Sequence, residues 1–114
     1  MVTRFKSGRR NADTAFEAEL TRLSGLVSDL ARIGRGVPVE ELAPYAPLLE
    51  NWTQGMRLGP CLLGLATDHP KLPGERRSIV TSDLLLMSDD GQWARTRSRW
   101  YRLGRPAGRR RDDA

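Results

Sequence analysis

Apolar residues in the first third of the chain fall at Phe16, Leu20, Leu23, Val27 and Leu30, spaced by four, three, four and three, which puts all five on one stripe of a helix. Thr14 followed by Glu17 is a capping-box pattern: the hydroxyl accepts from an early helical N–H while the carboxylate reaches back to the cap. Gly34 and Gly36 stop the pattern, so a helix is predicted over 14–33. Two heptads are too few to define a coiled coil. The stripe is therefore read as core-facing and the chain as a monomer, with a dimer seam through the same five residues as the alternative. Pro38, Pro44 and Pro47 then interrupt helix formation. A short helix at 39–43 and an irregular turn through Leu48, Leu49 and Trp52 are expected.

Beyond residue 53 the pattern changes from helix to strand. Cys61 to Thr67 reads as a buried strand, closed by Asp68-His69-Pro70, and 68–77 as a loop holding two prolines and a glycine. Ser78 to Ser88 is an apolar run opening with β-branched residues, followed by Asp89-Asp90-Gly91 and an extended run from Gln92 to Leu103. Asp-Gly between two extended runs signals a hairpin, because glycine tolerates the positive φ of a tight turn. The C-terminal half is read as an antiparallel meander of three or four strands. The fold class is α+β: an N-terminal helix and a short second helix packed on that meander, with curling towards a small barrel as a variant.

The chain's 114 residues suffice for one core. The organisation expected is a disordered basic arm over 1–12, a single domain over 13–106 and a disordered tail over 107–114. No run of apolar residues is long enough for a membrane span, and Met1 to Arg10 lacks the apolar centre of a signal peptide. A cytoplasmic protein with no membrane partner is expected. Net charge is +5, unevenly spread: +4 over residues 1–10, +6 over 93–114 and −5 between them. Basic ends on an acidic body point to an anionic partner, nucleic acid or an acidic protein surface, although basic termini also occur as plain solvated tails.

The residues give little support to catalysis. One cysteine and one histidine exclude a structural zinc site built from four cysteines, or from two cysteines and two histidines, and no phosphate-binding glycine loop is present. Cys61 reads as a small buried hydrophobe. His69, before a proline at a strand end, reads as a turn residue. Glu40-Glu41 suits the first turn of a helix and Asp89-Asp90 suits a hairpin turn. The chain is read as a non-enzyme without metal or cofactor.

The run from Gln92 to Leu103 is the most informative segment. As one strand, it presents Trp93, Arg95, Arg97, Arg99, Tyr101 and Leu103 on one face, and Ala94, Thr96, Ser98, Trp100 and Arg102 on the other. Three cations in a row repel unless solvent, acidic neighbours or an anionic ligand screen them. The plain alternative is pairing with Asp83, Asp89 and Asp90. Aromatic rings for stacking and guanidinium groups for phosphates are the means by which single-strand nucleic-acid binders work. Trp93, Arg95, Arg97, Arg99 and Tyr101 are therefore the candidate site for nucleic acid or another anionic partner. The second functional class is a protein-binding accessory factor or inhibitor whose basic face occupies an acidic surface.

Cys61-Leu62-Leu63-Gly64, His69-Pro70, Ile79-Val80-Thr81-Ser82-Asp83-Leu84, Trp93-Ala94-Arg95-Thr96 and Ser98-Arg99-Trp100-Tyr101-Arg102-Leu103-Gly104, in this order and spacing, resemble a family of small uncharacterised alphaproteobacterial proteins. Its members occur on plasmids and in prophage-like regions. The resemblance spans roughly residues 42–106, including Leu48-Leu49 and Trp52. It implies a shared structural core and mobile-element biology, and transfers no activity or site residues.

Overall fold

The computed structural model describes residues 2–108. Their contacts gather into two compact units, a helical one over Ala12–Arg57 and a β unit formed by the residues before and after it, where the sequence suggests one domain over 13–106. The class is α+β, as expected. Of the tail expected over 107–114, the part from 109 onward lies outside the described residues.

In the helical unit, α1 spans Thr14–Gly34 and α2 spans Val39–Leu42, close to the predicted bounds. The stripe read as core-facing is not buried: Phe16 and Leu23 are half-buried and Leu20, Val27 and Leu30 exposed, since the unit offers α1 only a four-residue second helix. The cap differs by one position: Asp13, not Thr14, is the N-cap, and its carboxylate accepts from the Phe16 N–H at 2.8 Å. A carboxylate here satisfies an orphan donor and also faces the positive end of the helix dipole, which a hydroxyl does less well. At the other end Gly36 takes φ 87°, and the Val37 N–H donates to the Arg32 carbonyl at 3.1 Å. That is the left-handed stop glycine permits.

The β unit holds six short strands: β1 Thr3–Phe5, β2 Leu63–Ala66, β3 Arg77–Val80, β4 Leu84–Ser88, β5 Trp93–Thr96 and β6 Trp100–Arg102. They form neither a single meander nor a barrel. β1, β4, β5 and β6 make an open mixed sheet in that order, and β2 and β3 pair separately as an antiparallel hairpin. The strand read as buried over Cys61 to Thr67 is therefore shorter and mostly exposed, because β2 belongs to a two-stranded hairpin outside the larger sheet, and Cys61 before it is half-buried. Strands of three to five residues with β1 and β6 left as edges lack the length and number that closure into a barrel requires.

Three local differences from the sequence reading have physical causes. First, β1 stands where a disordered arm is expected: it runs parallel to β4, with Thr3 opposite Leu86 and Phe5 opposite Ser88. Thr3 is buried, and the Asp89 N–H donates to the Phe5 carbonyl at 2.8 Å. A strand of three residues among Arg4, Lys6, Arg9 and Arg10 leaves no periodicity to detect. Second, Ser78 to Ser88 is broken at Thr81-Ser82-Asp83, where the chain leaves the β2–β3 hairpin for the larger sheet. Thr81 exchanges backbone and hydroxyl bonds with Leu62, its N–H donating to the Leu62 carbonyl and its Oγ1 accepting from the Leu62 N–H, each at 2.9 Å. The Leu84 N–H then bonds the Pro60 carbonyl at 2.9 Å.

Third, Gln92 to Leu103 is not one strand but a second hairpin, β5–β6. Thr96 closes it: its N–H donates to the Arg99 carbonyl at 2.9 Å, and its Oγ1 accepts from the Ser98 and Arg99 N–H groups at 3.2 Å each. The β4–β5 turn forms where Asp-Gly predicts it, with Gly91 at φ 72°. Ser88 lies under that turn, fully buried, and its Oγ accepts from the Gln92 and Trp93 N–H groups and donates to Asp90 Oδ1 at 2.6 Å. Leu84 and Ala94 are the buried apolar side chains of the sheet, beside buried Thr96. An irregularity between Leu84 and Leu86 sets Leu84 opposite Thr96.

Candidate functional site

The β5–β6 hairpin rearranges the predicted site by parity. In one strand, odd-numbered residues share a face. In this hairpin Trp93 lies opposite Arg102, Ala94 opposite Tyr101 and Arg95 opposite Trp100. Opposed residues share a face, so the odd positions of β5 join the even positions of β6. Trp93, Arg95, Trp100 and Arg102 therefore occupy one face. Tyr101 moves to the other, with Ala94 and Thr96. Arg97 and Arg99 leave the row for the connection between the strands, Arg97 exposed and Arg99 half-buried. The repulsive row of three arginines inferred for a continuous strand does not form.

The two faces differ in exposure. Ala94 and Thr96 are fully covered, whereas Trp93 is 38% and Trp100 49% exposed. Within the hairpin the tryptophan face is thus the more exposed one, while Thr3 and Ser88, on the same face of the sheet, are buried. Phe5 joins it from β1 and meets Trp100 edge to face. The result is a partly exposed aromatic surface carrying two guanidinium groups, Arg95 half-buried and Arg102 exposed.

Of the carboxylates proposed as their plain partners, those of Asp89 and Asp90 are engaged elsewhere. Asp89 faces Arg4, 3.9 Å from its Nε. Asp90 accepts from Ser88 and from the Gln92 N–H, and these two hydrogen bonds, the Ser88 one first, hold its carboxyl below the ordinary carboxylate range. Asp83 contributes its backbone carbonyl to the Arg97 N–H. Among the described residues, Arg95, Arg97, Arg99 and Arg102 form no ion pair.

Around the edge strand β6 lies a pocket of about 410 Å³, bordered by Trp93, Arg99, Trp100, Tyr101 and Arg102, and closed on one side by Asp68-His69-Pro70. Three of the five sequence-predicted site residues, Trp93, Arg99 and Tyr101, border it; Arg95 and Arg97 do not. Trp100, Arg102 and His69 are the residues the alternation argument leaves out. His69 sits in the loop between β2 and β3, where its Nε2 lies 3.1 Å from Tyr101 Oη. One signal for the hairpin is present in the sequence: a strand from Gln92 to Leu103 is about twice the usual length of about 5–6 residues, with small, polar Ser98 near its middle.

Comparison with known families places the chain. A family model matches residues 13–110, well over half of the sequence. The chain belongs to the DUF6634 family, a family of unknown function. The DUF6634 match takes in α1, α2 and every strand from β2 to β6, a longer span than the resemblance over 42–106, and leaves out β1. No curated protein and no solved structure matches the chain significantly. Among the described residues, no helix is long and apolar enough to cross a membrane.

Proposed function

We propose that this protein is a non-catalytic, cytoplasmic nucleic-acid-binding protein that takes single strands on the tryptophan face of the β5–β6 hairpin. The observation that carries this reading is the hairpin register, which sets Trp93, Arg95, Trp100 and Arg102 on one exposed face. Indole rings stack on bases regardless of sequence, and guanidinium groups meet phosphates as bidentate, permanently charged donors. The absence of ion pairs to these arginines among the described residues leaves their donors available to a phosphate chain. Basic residues over 1–10 and 93–114 add long-range attraction for any polyanion.

Fluorescence anisotropy with labelled single-stranded oligonucleotides of random sequence, titrated at several salt concentrations, tests this directly. Binding that weakens steeply as salt rises is expected. No binding tighter than about 100 μM near physiological salt, the weak end for non-specific binders, overturns it.

A second reading rests on the position of β6 at the edge of the sheet. An edge strand accepts an added strand from a partner, and Arg102 within β6 and Arg99 just before it favour an acidic one. On this reading the protein is a plasmid- or phage-borne factor that binds a host complex. A defined protein recovered from nuclease-treated host lysate, with no oligonucleotide binding, is the result that selects it.

A further inference from the structure

The loop carrying His69 determines where two protons lie at the rim of the pocket. Asp68 adopts a left-handed φ of 62°, and the chain turns so that the Lys71 N–H donates to His69 Nδ1 at 3.1 Å. Nδ1 is therefore the lone-pair nitrogen, and the neutral ring carries its proton on Nε2. Nε2 stands 3.1 Å from Tyr101 Oη and donates to it. With that oxygen accepting from His69, the hydroxyl's own proton is left to donate, and it has no acceptor among the described residues.

Tyr101 is half-buried and borders the pocket that Arg99, Arg102, Trp93 and Trp100 also line. A volume of about 410 Å³ falls within the range of about 300–1,000 Å³ typical of small-ligand pockets. A hydroxyl donor bonds an ionised oxygen more strongly than a neutral one, and two guanidinium groups at the same opening favour such an oxygen. We infer that this pocket is a nucleotide subsite in which the Tyr101 hydroxyl donates to a phosphate oxygen. In it, His69 is a positioning residue that fixes the direction of that donation. The inference rests on the single-strand reading above and assigns to one pocket the recognition of one nucleotide's phosphate.

Two probes test it on the full chain. The first is a labelled oligothymidylate of roughly a dozen nucleotides, a length within the range of single-strand site sizes. Tyr101→Phe should weaken its binding about tenfold or more, as expected for a hydrogen bond to a charged acceptor. His69→Leu should weaken it comparably, and His69→Gln, whose amide donates from near the Nε2 position, should restore most of the loss. The second probe compares thymidine monophosphate with thymidine by NMR of the wild-type protein. Shifts around Tyr101 and His69 with the monophosphate, and not with the nucleoside, are expected.

Wild-type binding of the oligothymidylate with Tyr101→Phe unchanged overturns the subsite and leaves the single-strand reading standing. Equal effects of the Gln and Leu variants at position 69 overturn the positioning role. If the wild type does not bind the oligothymidylate, the single-strand reading falls. The monophosphate comparison then decides the subsite alone, and no shift with either compound removes it.

Discussion

Phe5 and Trp100 meet edge to face, with ring centroids 5.8 Å apart and planes at 74°. They come from β1 and β6, the two outer strands of a four-stranded sheet, so the pair closes over the face between them. The three-residue strand β1 is thereby tied to the hairpin that carries the candidate site. Edge-to-face pairs contribute about 0.5–1.5 kcal/mol beyond the area they bury. Phe5→Ala is expected to cost about 1–3 kcal/mol, less than a fully buried phenylalanine because Phe5 is half-exposed. Urea unfolding measures the loss, and hydrogen exchange should show the amides of Thr3–Phe5 losing protection before those of β4 and β5.

Ser88 is the side chain on which the β4–β5 turn depends, since its buried Oγ accepts from the N–H groups of Gln92 and Trp93. Ser88→Ala leaves these donors without that acceptor, at a cost of about 1–3 kcal/mol. The same variant changes the response to acid. Asp90 has its carboxyl pKa lowered in the folded state, first by Ser88 and then by the Gln92 N–H. A lowered folded-state pKa gives stability that is present above the unfolded value and lost as pH falls through the folded one. Wild-type stability should therefore fall with acidification below about pH 4, and the gap between wild type and Ser88→Ala should narrow over that range.

Asp13 and Thr14 provide a sharp test of the start of α1. With Asp13 accepting from the Phe16 N–H, Asp13→Ala should destabilise the helix by about 0.5–2 kcal/mol. Thr14→Ala should have a small effect, because alanine is favourable inside a helix. The reverse order, read by circular dichroism during thermal unfolding, would restore the capping box that the sequence suggests.

The contrast between these elements explains what is legible in the sequence. α1 carries a periodic stripe between a cap and glycines, and its bounds are recovered to within a residue. The β4–β5 turn is announced by Asp-Gly because its geometry requires a positive φ at Gly91. The β5–β6 turn has no such requirement: Arg97 and Ser98 have no left-handed backbone, and the closure depends on the Thr96 hydroxyl accepting two N–H groups. Threonine is a strand former, so it conceals its own role as a turn clamp. Missing that turn reverses the parity of every later side chain, which is why strict alternation puts Trp100 and Arg102 on the wrong face while it groups Trp93 and Arg95 correctly. His69 reads as a plain turn residue because its partner, Tyr101, is distant in sequence and is reached only through the tertiary fold.

The register of the hairpin yields the most discriminating functional test. If Arg95 and Arg102 contact phosphates, changing both to alanine should weaken oligonucleotide binding for all sequences alike, because phosphate contacts carry no base identity. For single strands, each lost contact should reduce the slope of log K against log salt by about 0.7. Trp93→Ala and Trp100→Ala should each cost about 1–3 kcal/mol of binding through lost stacking while leaving that slope nearly unchanged. Arg97 is the internal control. It is exposed in the connection between β5 and β6 and lies neither on the tryptophan face nor along the pocket, so Arg97→Ala should weaken binding less than either change on the face. In a continuous strand the outcome would differ, with Arg97 equivalent to Arg95 and Trp100 turned away from the ligand. Equal losses from Arg95 and Arg97, together with a silent Trp100→Ala, would therefore count against the hairpin face as the binding surface.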